Sequence, residues 1–291
     1  MKSPFVHLNS VPEEHAVGWA QAMADVFSHL EDATSDEQLA RGLKWLLLLH
    51  DLLLRLPPRG GRRGQGMVSH RFAAWSRGDF AQLVRWWESD RAAAKHPVLA
   101  SADDAQAREL QRALHLLSAG QISRACRLLV SSGLGDLQDE RILEQLAAKH
   151  PVRKATMPQS LAEFGALPRV TVKLEPTLRT LDSYAGSGPS GFRNDYLKVL
   201  TQQFADAKAK SAMRLLDRFA TRYANAELPA WFYFLFCSVK LVAPVKTPAA
   251  SPGEAPDVRP LGVGECLRRA ITRAVVNAGS SQMAAYFWPQ Q

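Results

Sequence analysis

The spacing of hydrophobic positions predicts a mainly α-helical protein. Through most of residues 1–150, apolar side chains recur every three or four positions, which is the pattern of amphipathic helices. Ser35 before Asp36 and Glu37 predicts a helix start, because a serine hydroxyl caps free amides and acidic side chains suit a first turn. A later helix is expected to run through Trp75 and Trp87. We therefore expect residues 1–150 to form a helical N-terminal region.

The pattern changes after residue 150. Prolines interrupt residues 151–190 repeatedly, so this stretch is predicted to be a connector that contains no long helix. Residues 191–291 mix an expected long helix over 200–223 with two short apolar segments. These segments, 238–245 and 258–263, predict the strands of a β-hairpin. Because the linking residues include three prolines, we expect a protruding, flexible loop there.

Two short motifs stand out in this last region. The first, Gly188-Pro189-Ser190-Gly191-Phe192-Arg193, predicts a turn followed by a helix, with backbone N–H groups facing an anion near Gly191. The second is an apolar strand that ends in Lys246, followed after the loop by Val258-Arg259-Pro260-Leu261-Gly262-Val263-Gly264-Glu265. Together they resemble the fingers region of non-LTR retrotransposon reverse transcriptases. The resemblance covers residues 168–291.

The resemblance implies a fold and a set of contacts. Residues 191–291 would be a partial α/β fingers subdomain with a β-hairpin. The hairpin would contact the incoming nucleoside triphosphate through Arg259 and Lys246, since arginine and lysine both suit phosphate. The long loop after Lys246 departs from the family and weakens that second assignment. The remaining implied residues are the motif glycines Gly188 and Gly191 and four nucleic-acid-binding arginines, Arg193, Arg268, Arg269 and Arg273.

The catalytic residues of such a polymerase are not expected in this chain. Two-metal nucleotidyl transfer needs clustered carboxylates that hold Mg²⁺. The aspartates after Gly191 fall in predicted helices or in the proline-rich loop. Three scattered cysteines offer no zinc-ligand spacing either. We expect no cofactor in this chain, Mg²⁺ only in the complete polymerase, and no polymerase activity from this chain alone.

Composition points to an anionic partner. The 291 residues carry 36 Lys and Arg against 28 Asp and Glu, a net charge of +8. RNA or DNA is the first candidate, although an ordinary basic protein would have the same composition. Deoxynucleoside triphosphates would be partners of the intact enzyme. With no secretion signal and no long apolar run, we expect a nuclear or cytoplasmic protein that is not secreted and does not bind a membrane.

Three functions remain open from the sequence. The first is a fragment of a retroelement RNA-directed DNA polymerase that contributes template and nucleotide contacts. The second is a non-catalytic nucleic-acid-binding protein derived from such an element. The third is a helical protein-interaction scaffold, for which the apolar helices at 36–56 and 69–90 would provide the partner surface.

Overall fold

The computed structural model describes residues 5–56, 63–93, 102–150, 169–202, 207–251 and 253–287. Its helices are α1 (Ala16–Glu31), α2 (Asp36–Leu53), α3 (Arg63–Ser76), α4 (Phe80–Ala93), α5 (Ala102–Ser118), α6 (Ile122–Leu129), α7 (Glu140–Lys149), α8 (Glu175–Arg179), α9 (Asn194–Lys198), α10 (Ala207–Ala224), α11 (Ala230–Phe236) and α12 (Cys266–Phe287). Its strands are β1 (Val239–Val242), β2 (Val245–Thr247), β3 (Asp257–Val258) and β4 (Leu261–Gly264). The prediction of a mainly helical protein is confirmed.

The chain forms two compact units, and each is built from segments that are distant in sequence. The larger unit comprises Met1–Ala94, Phe164–Lys240 and Val263–Gln291. The smaller unit comprises Lys95–Glu163 and Leu241–Gly262. This division differs from the three consecutive regions that the sequence predicts, because the chain returns to each unit after leaving it.

The long helices α1, α2 and α10 of the larger unit follow the expected amphipathic pattern. The Ser35 hydroxyl accepts a hydrogen bond from the Gln38 amide at 3.3 Å, so the predicted cap of α2 is confirmed. The apolar stripe of α2 is buried, and α1 packs on α10 with the rings of Phe27 and Phe219 5.4 Å apart. The helices at 36–56 and 69–90 supply core residues, such as Leu49 and Trp75.

Two predicted helices have different limits. The helix expected through Trp75 and Trp87 is two helices, α3 and α4, and the single-helix prediction is wrong. Gly78 has a φ of 73°, which ends α3, and the Asp79 carboxylate accepts from the Gln82 amide at the start of α4. The helix expected over 200–223 is α10, preceded by a separate 3-10 turn at Val199–Thr201.

The predicted β-hairpin is present in two short pieces, of which β2 and β3 belong to the smaller unit. β2 pairs antiparallel with β3, and β1 pairs with β4. The outer side of the hairpin also meets residues 133–135, where the Gly135 amide donates to the Ala243 carbonyl at 2.8 Å. A small core joins Ile142 and Leu146 of α7 to Ala243 and Val258 of the hairpin. The prediction of a hairpin in this region is confirmed.

The C-terminal end of the hairpin loop is attached to α7, whereas residues 247–251 are exposed. Arg141 donates to the Gly253 carbonyl at 2.6 Å. Gln145 donates to the Pro256 carbonyl at 3.2 Å and accepts from the Val258 amide at 3.3 Å. Lys149 forms an ion pair with Asp257 and donates to the Val258 carbonyl. These three side chains lie on successive turns of one helix face, and together they hold residues 253–258.

None of the helices in the described ranges combines the length and the apolar composition that crossing a bilayer requires.

Candidate functional site

The first motif forms a tight turn whose glycines have identifiable structural reasons. Gly191 has a φ of 88°, a conformation that side-chain-bearing residues rarely adopt. A Cβ on Gly188 would lie 2.6 Å from the Glu265 Cα and 2.7 Å from the Gly264 carbonyl oxygen. Backbone therefore packs directly on backbone at this point. The turn needs glycine at both positions, and Gly188 brings the first motif against the end of the second.

A carboxylate joins the two motifs. The Ser190 amide donates to Glu265 Oε1 at 2.7 Å, and the Ser190 hydroxyl donates to Glu265 Oε2 at 2.7 Å. The Phe192 amide donates to the Ser190 hydroxyl oxygen, and the Gly191 amide to the Gly188 carbonyl. The anion predicted beside Gly191 is thus Glu265 of the same chain, and the turn amides have partners within the protein.

A buried histidine lies on the other side of the turn. His50 Nε2 donates to the Ser190 carbonyl at 3.0 Å, and His50 Nδ1 has no partner among the described residues. Burial lowers the pKa of His50 to about 4, although the nearby Asp51 carboxylate opposes that shift. His50 is therefore neutral near pH 7, and it ties α2 to the turn that Glu265 ties to α12.

His50 also belongs to a small cluster of potential metal ligands. His7 Nε2 lies 2.6 Å and His50 Nε2 3.4 Å from Asp51 Oδ1, and the three ligand-type atoms lie within 4.8 Å of one another. Trp87 donates to the second carboxylate oxygen at 3.3 Å. Hydrogen bonds within the protein thus account for these oxygens and for both Nε2 atoms. The arrangement is that of a buried polar network.

The predicted nucleic-acid-binding arginines lie in the larger unit, and two of them contact the main chain. Arg269 donates to the Gly186 carbonyl at 2.6 Å, and Arg273 donates to the Thr180 carbonyl at 3.4 Å. The Arg268 guanidinium lies over Gly264 and is half-buried. Arg193 is half-buried at the start of α9, and no hydrogen bond of its guanidinium is found among the described residues.

The predicted nucleotide-binding residues lie in the smaller unit. Lys246 is at an irregularity in the β2–β3 register, between the pairs Val245–Val258 and Thr247–Asp257. Its ammonium group lies 3.4 Å from the Asp257 carboxylate, whose pKa is lowered mainly by a hydrogen bond from Lys149. Arg259 is exposed, and within the described residues its guanidinium has no ion pair. Of the two cations, Arg259 is the one that remains available to a ligand.

The described aspartates after Gly191 each have a structural partner. Asp195 accepts from Ser183, Asp217 accepts from the Leu174 amide, and Asp257 pairs with lysines. Asp206 lies outside the described residues. Each of the three described carboxylates is thus engaged by its own partner.

The contacts of Glu265 and His50 with the turn were not predicted from the sequence. Glu265 was visible as the last residue of the second motif, but nothing local indicates that its partner is 75 residues away. Comparison with models of protein families found no match, and comparisons with curated proteins and with solved structures found none either.

Proposed function

We propose that this chain is part of an RNA-directed DNA polymerase of the non-LTR retrotransposon type. It would contribute contacts to template RNA and to the incoming nucleoside triphosphate, in the nucleus or the cytoplasm. The observation that carries the proposal is the packing of Gly188 on Gly264 and Glu265. The two motifs that resemble the fingers region are joined there, where β4 passes into α12, which follows the hairpin directly as the resemblance implies.

The nucleotide contact is proposed for Arg259. Its guanidinium is exposed and unpaired among the described residues, and it offers a planar set of donors that suits a phosphate. Lys246 is the weaker candidate, because Asp257 already neutralises part of its charge. Catalysis would require the carboxylates of the complete polymerase to hold Mg²⁺.

Template-dependent nucleotide labelling tests this function. The protein is mixed with an RNA template annealed to a DNA primer, and a photoreactive deoxynucleoside triphosphate is added and cross-linked. We expect labelling of a peptide that contains Arg259 only when the nucleotide is complementary to the next template base. Arg259→Ala should reduce the label about tenfold or more, because a charged hydrogen bond to phosphate is lost. Arg179→Ala, which removes an exposed arginine of the larger unit, is the matched control.

A label that does not depend on the template base would contradict the polymerase proposal. It would favour the second candidate, a nucleic-acid-binding protein without catalysis. The separate engagement of Asp195, Asp217 and Asp257 agrees with that alternative, which needs no shared carboxylate site. Under it, RNA binding persists, but template-dependent labelling does not appear.

A further inference from the structure

An extended segment crosses α10 in the larger unit and forms one wall of a groove. Asn225 accepts from the Val170 amide at 2.8 Å and donates to the Val170 carbonyl at 2.7 Å. Thr221 accepts from the Val172 amide at 3.1 Å. Alternate side chains point inward and outward, as in a strand, so Val172 is buried whereas Thr171 is exposed. The segment is therefore fixed to the helix, and its outer edge faces an open groove of about 640 Å³.

Most charges in this groove are already paired. Arg169 lies 2.9 Å from Glu227, and Lys173 lies 3.3 Å from Asp217. The third pair joins Arg222 to Glu31 at 3.5 Å. These pairs use the three carboxylates that line the groove. The groove therefore has no described carboxylate left for its two other cations.

Those two cations are Arg214 and Arg218, and they are exposed. Among the described residues, neither guanidinium has an ion pair or a hydrogen bond. Lys210, also exposed and without a described partner, precedes them by one turn. Residues four apart on a helix share a face and are separated by a rise of about 6 Å. The three cations thus form a row about 12 Å long beside the fixed segment.

We propose that this row binds the phosphate backbone of a single nucleic-acid strand that lies along α10 in the groove. The choice of nucleic acid rests on the proposed function and on the net charge of +8. The row suits a repeating anion, because its cations recur at a regular rise along a straight helix. Guanidinium groups bind phosphate oxygens through paired donors and contact no base, so binding is independent of sequence. RNA and DNA strands share this chemistry.

Salt-dependent binding of labelled oligonucleotides tests the groove. The probes are single-stranded oligo(U) and oligo(dT) of equal length, measured by fluorescence anisotropy at several salt concentrations. For single strands, each phosphate contact contributes about 0.7 to the slope of log affinity against log salt. We expect Arg214→Ala/Arg218→Ala to reduce that slope by about 1.4 and to weaken binding about tenfold or more at low salt. Arg214→Lys/Arg218→Lys should retain most of the slope, since charge is kept.

A charge-matched variant separates the groove from net charge. Arg41→Ala/Arg179→Ala removes two exposed arginines of the same unit and should leave the slope unchanged. Circular dichroism should show that each variant retains its helix content, because alanine favours helices. If the wild-type protein binds and the Arg214/Arg218 variant keeps its affinity and slope, the groove proposal is overturned and the proposed function stands. If the wild-type protein shows no salt-dependent binding, both are overturned.

Discussion

In both units, one helix holds an extended stretch of chain through side chains on successive turns. In the larger unit, α10 holds residues 170–174, and in the smaller unit α7 holds residues 253–258. The side chains that do this are Asp217 and Thr221 on α10 with Asn225 directly after it, and Arg141, Gln145 and Lys149 on α7.

The two helices differ in how they use positive charge. On α7 the cations themselves bind the loop. Arg141 and Lys149 donate hydrogen bonds to loop carbonyls and form ion pairs with Asp139 and Asp257, respectively. On α10 polar acceptors do the holding, and the neighbouring arginines are left exposed. The lesson is that the number of basic residues on a helix does not measure its capacity for an anionic ligand. What matters is whether the basic side chains are free of structural contacts because other side chains hold the neighbouring segment.

The largest expected difference between the two units is the loss of stability when a closely packed glycine is replaced by alanine. Gly188→Ala should lower the free energy of unfolding by about 3 kcal/mol or more, because the new Cβ meets backbone that cannot move independently. In the smaller unit, a Cβ on Gly135 meets the Cγ1 of the buried Val258 at 2.8 Å, which is a side-chain atom and not backbone. Gly135→Ala should therefore cost only about 1 kcal/mol. Denaturant unfolding measures both.

Gly186→Ala is the control for the first substitution. Its nearest neighbour, Val263 Cγ1, is 3.8 Å from the new Cβ, so little change is expected. Equal losses for Gly188→Ala and Gly186→Ala would show that the packing of the turn on the start of α12 is not a major source of stability.

Acid is expected to lower the stability of the larger unit at a higher pH than that of the smaller unit, because the larger unit contains His50. Its folded pKa of about 4 is below the ordinary value of 6.5, so the unfolded chain takes up the proton first as pH falls. The stability from neutral His50 is present above pH 6.5 and is lost between about pH 6.5 and 4, at a cost of about 3 kcal/mol. In the smaller unit, the lowered pKa of Asp257 keeps its ion pair through that range, and its contribution is lost only at lower pH.

Tryptophan fluorescence reports on the larger unit, because every tryptophan among the described residues lies in its segments. Unfolding midpoints at several pH values would show the expected decrease. His50→Gln should flatten this dependence, since a glutamine amide can donate to the Ser190 carbonyl without titrating in this range. An unchanged slope in that variant would mean that another group is responsible.

The smallest expected effects come from removing one of the side chains that hold each extended segment. Asn225→Ala leaves both polar groups of Val170 without their partner and should cost about 2 kcal/mol. Gln145→Ala breaks two longer bonds at a half-exposed position and should cost about 1 kcal/mol. Hydrogen exchange should rise at residues 170–174 in the first variant and at residues 256–258 in the second.

Asn277→Ala removes an exposed asparagine of α12 and should change neither segment. If exchange rises equally in both segments for either variant, the two helices do not hold their segments independently, and the comparison fails.

The sequence predicts those features that depend on neighbouring residues. The Ser35 cap is an example, because its partner is Gln38, and the glycines of the turn are another, because their conformation is a local property. The break between α3 and α4 was also visible at Gly78 and Asp79. There the apolar spacing outweighed the turn signal, and the prediction of one helix was wrong.

Contacts between distant residues could not be predicted in the same way. Nothing near Ser190 indicates Glu265, and nothing near Asn225 indicates Val170, 55 residues away. The four-residue spacing of Lys210, Arg214 and Arg218 is visible in the sequence. Whether those charges are free depends on carboxylates in other segments, and only the folded chain brings these together.

The position of Ser190 between His50 and Glu265 has a consequence for synthesis on the ribosome. His50 is 140 residues from Ser190, and Glu265 follows 75 residues later. At about 5–20 residues per second, the carboxylate emerges roughly 4–15 s after the turn that it completes. During that interval the amide and hydroxyl of Ser190 and the backbone face of Gly188 lack the partner that Glu265 provides. The nascent larger unit is therefore open at this point, where a chaperone or a slowed ribosome would have most influence on its yield.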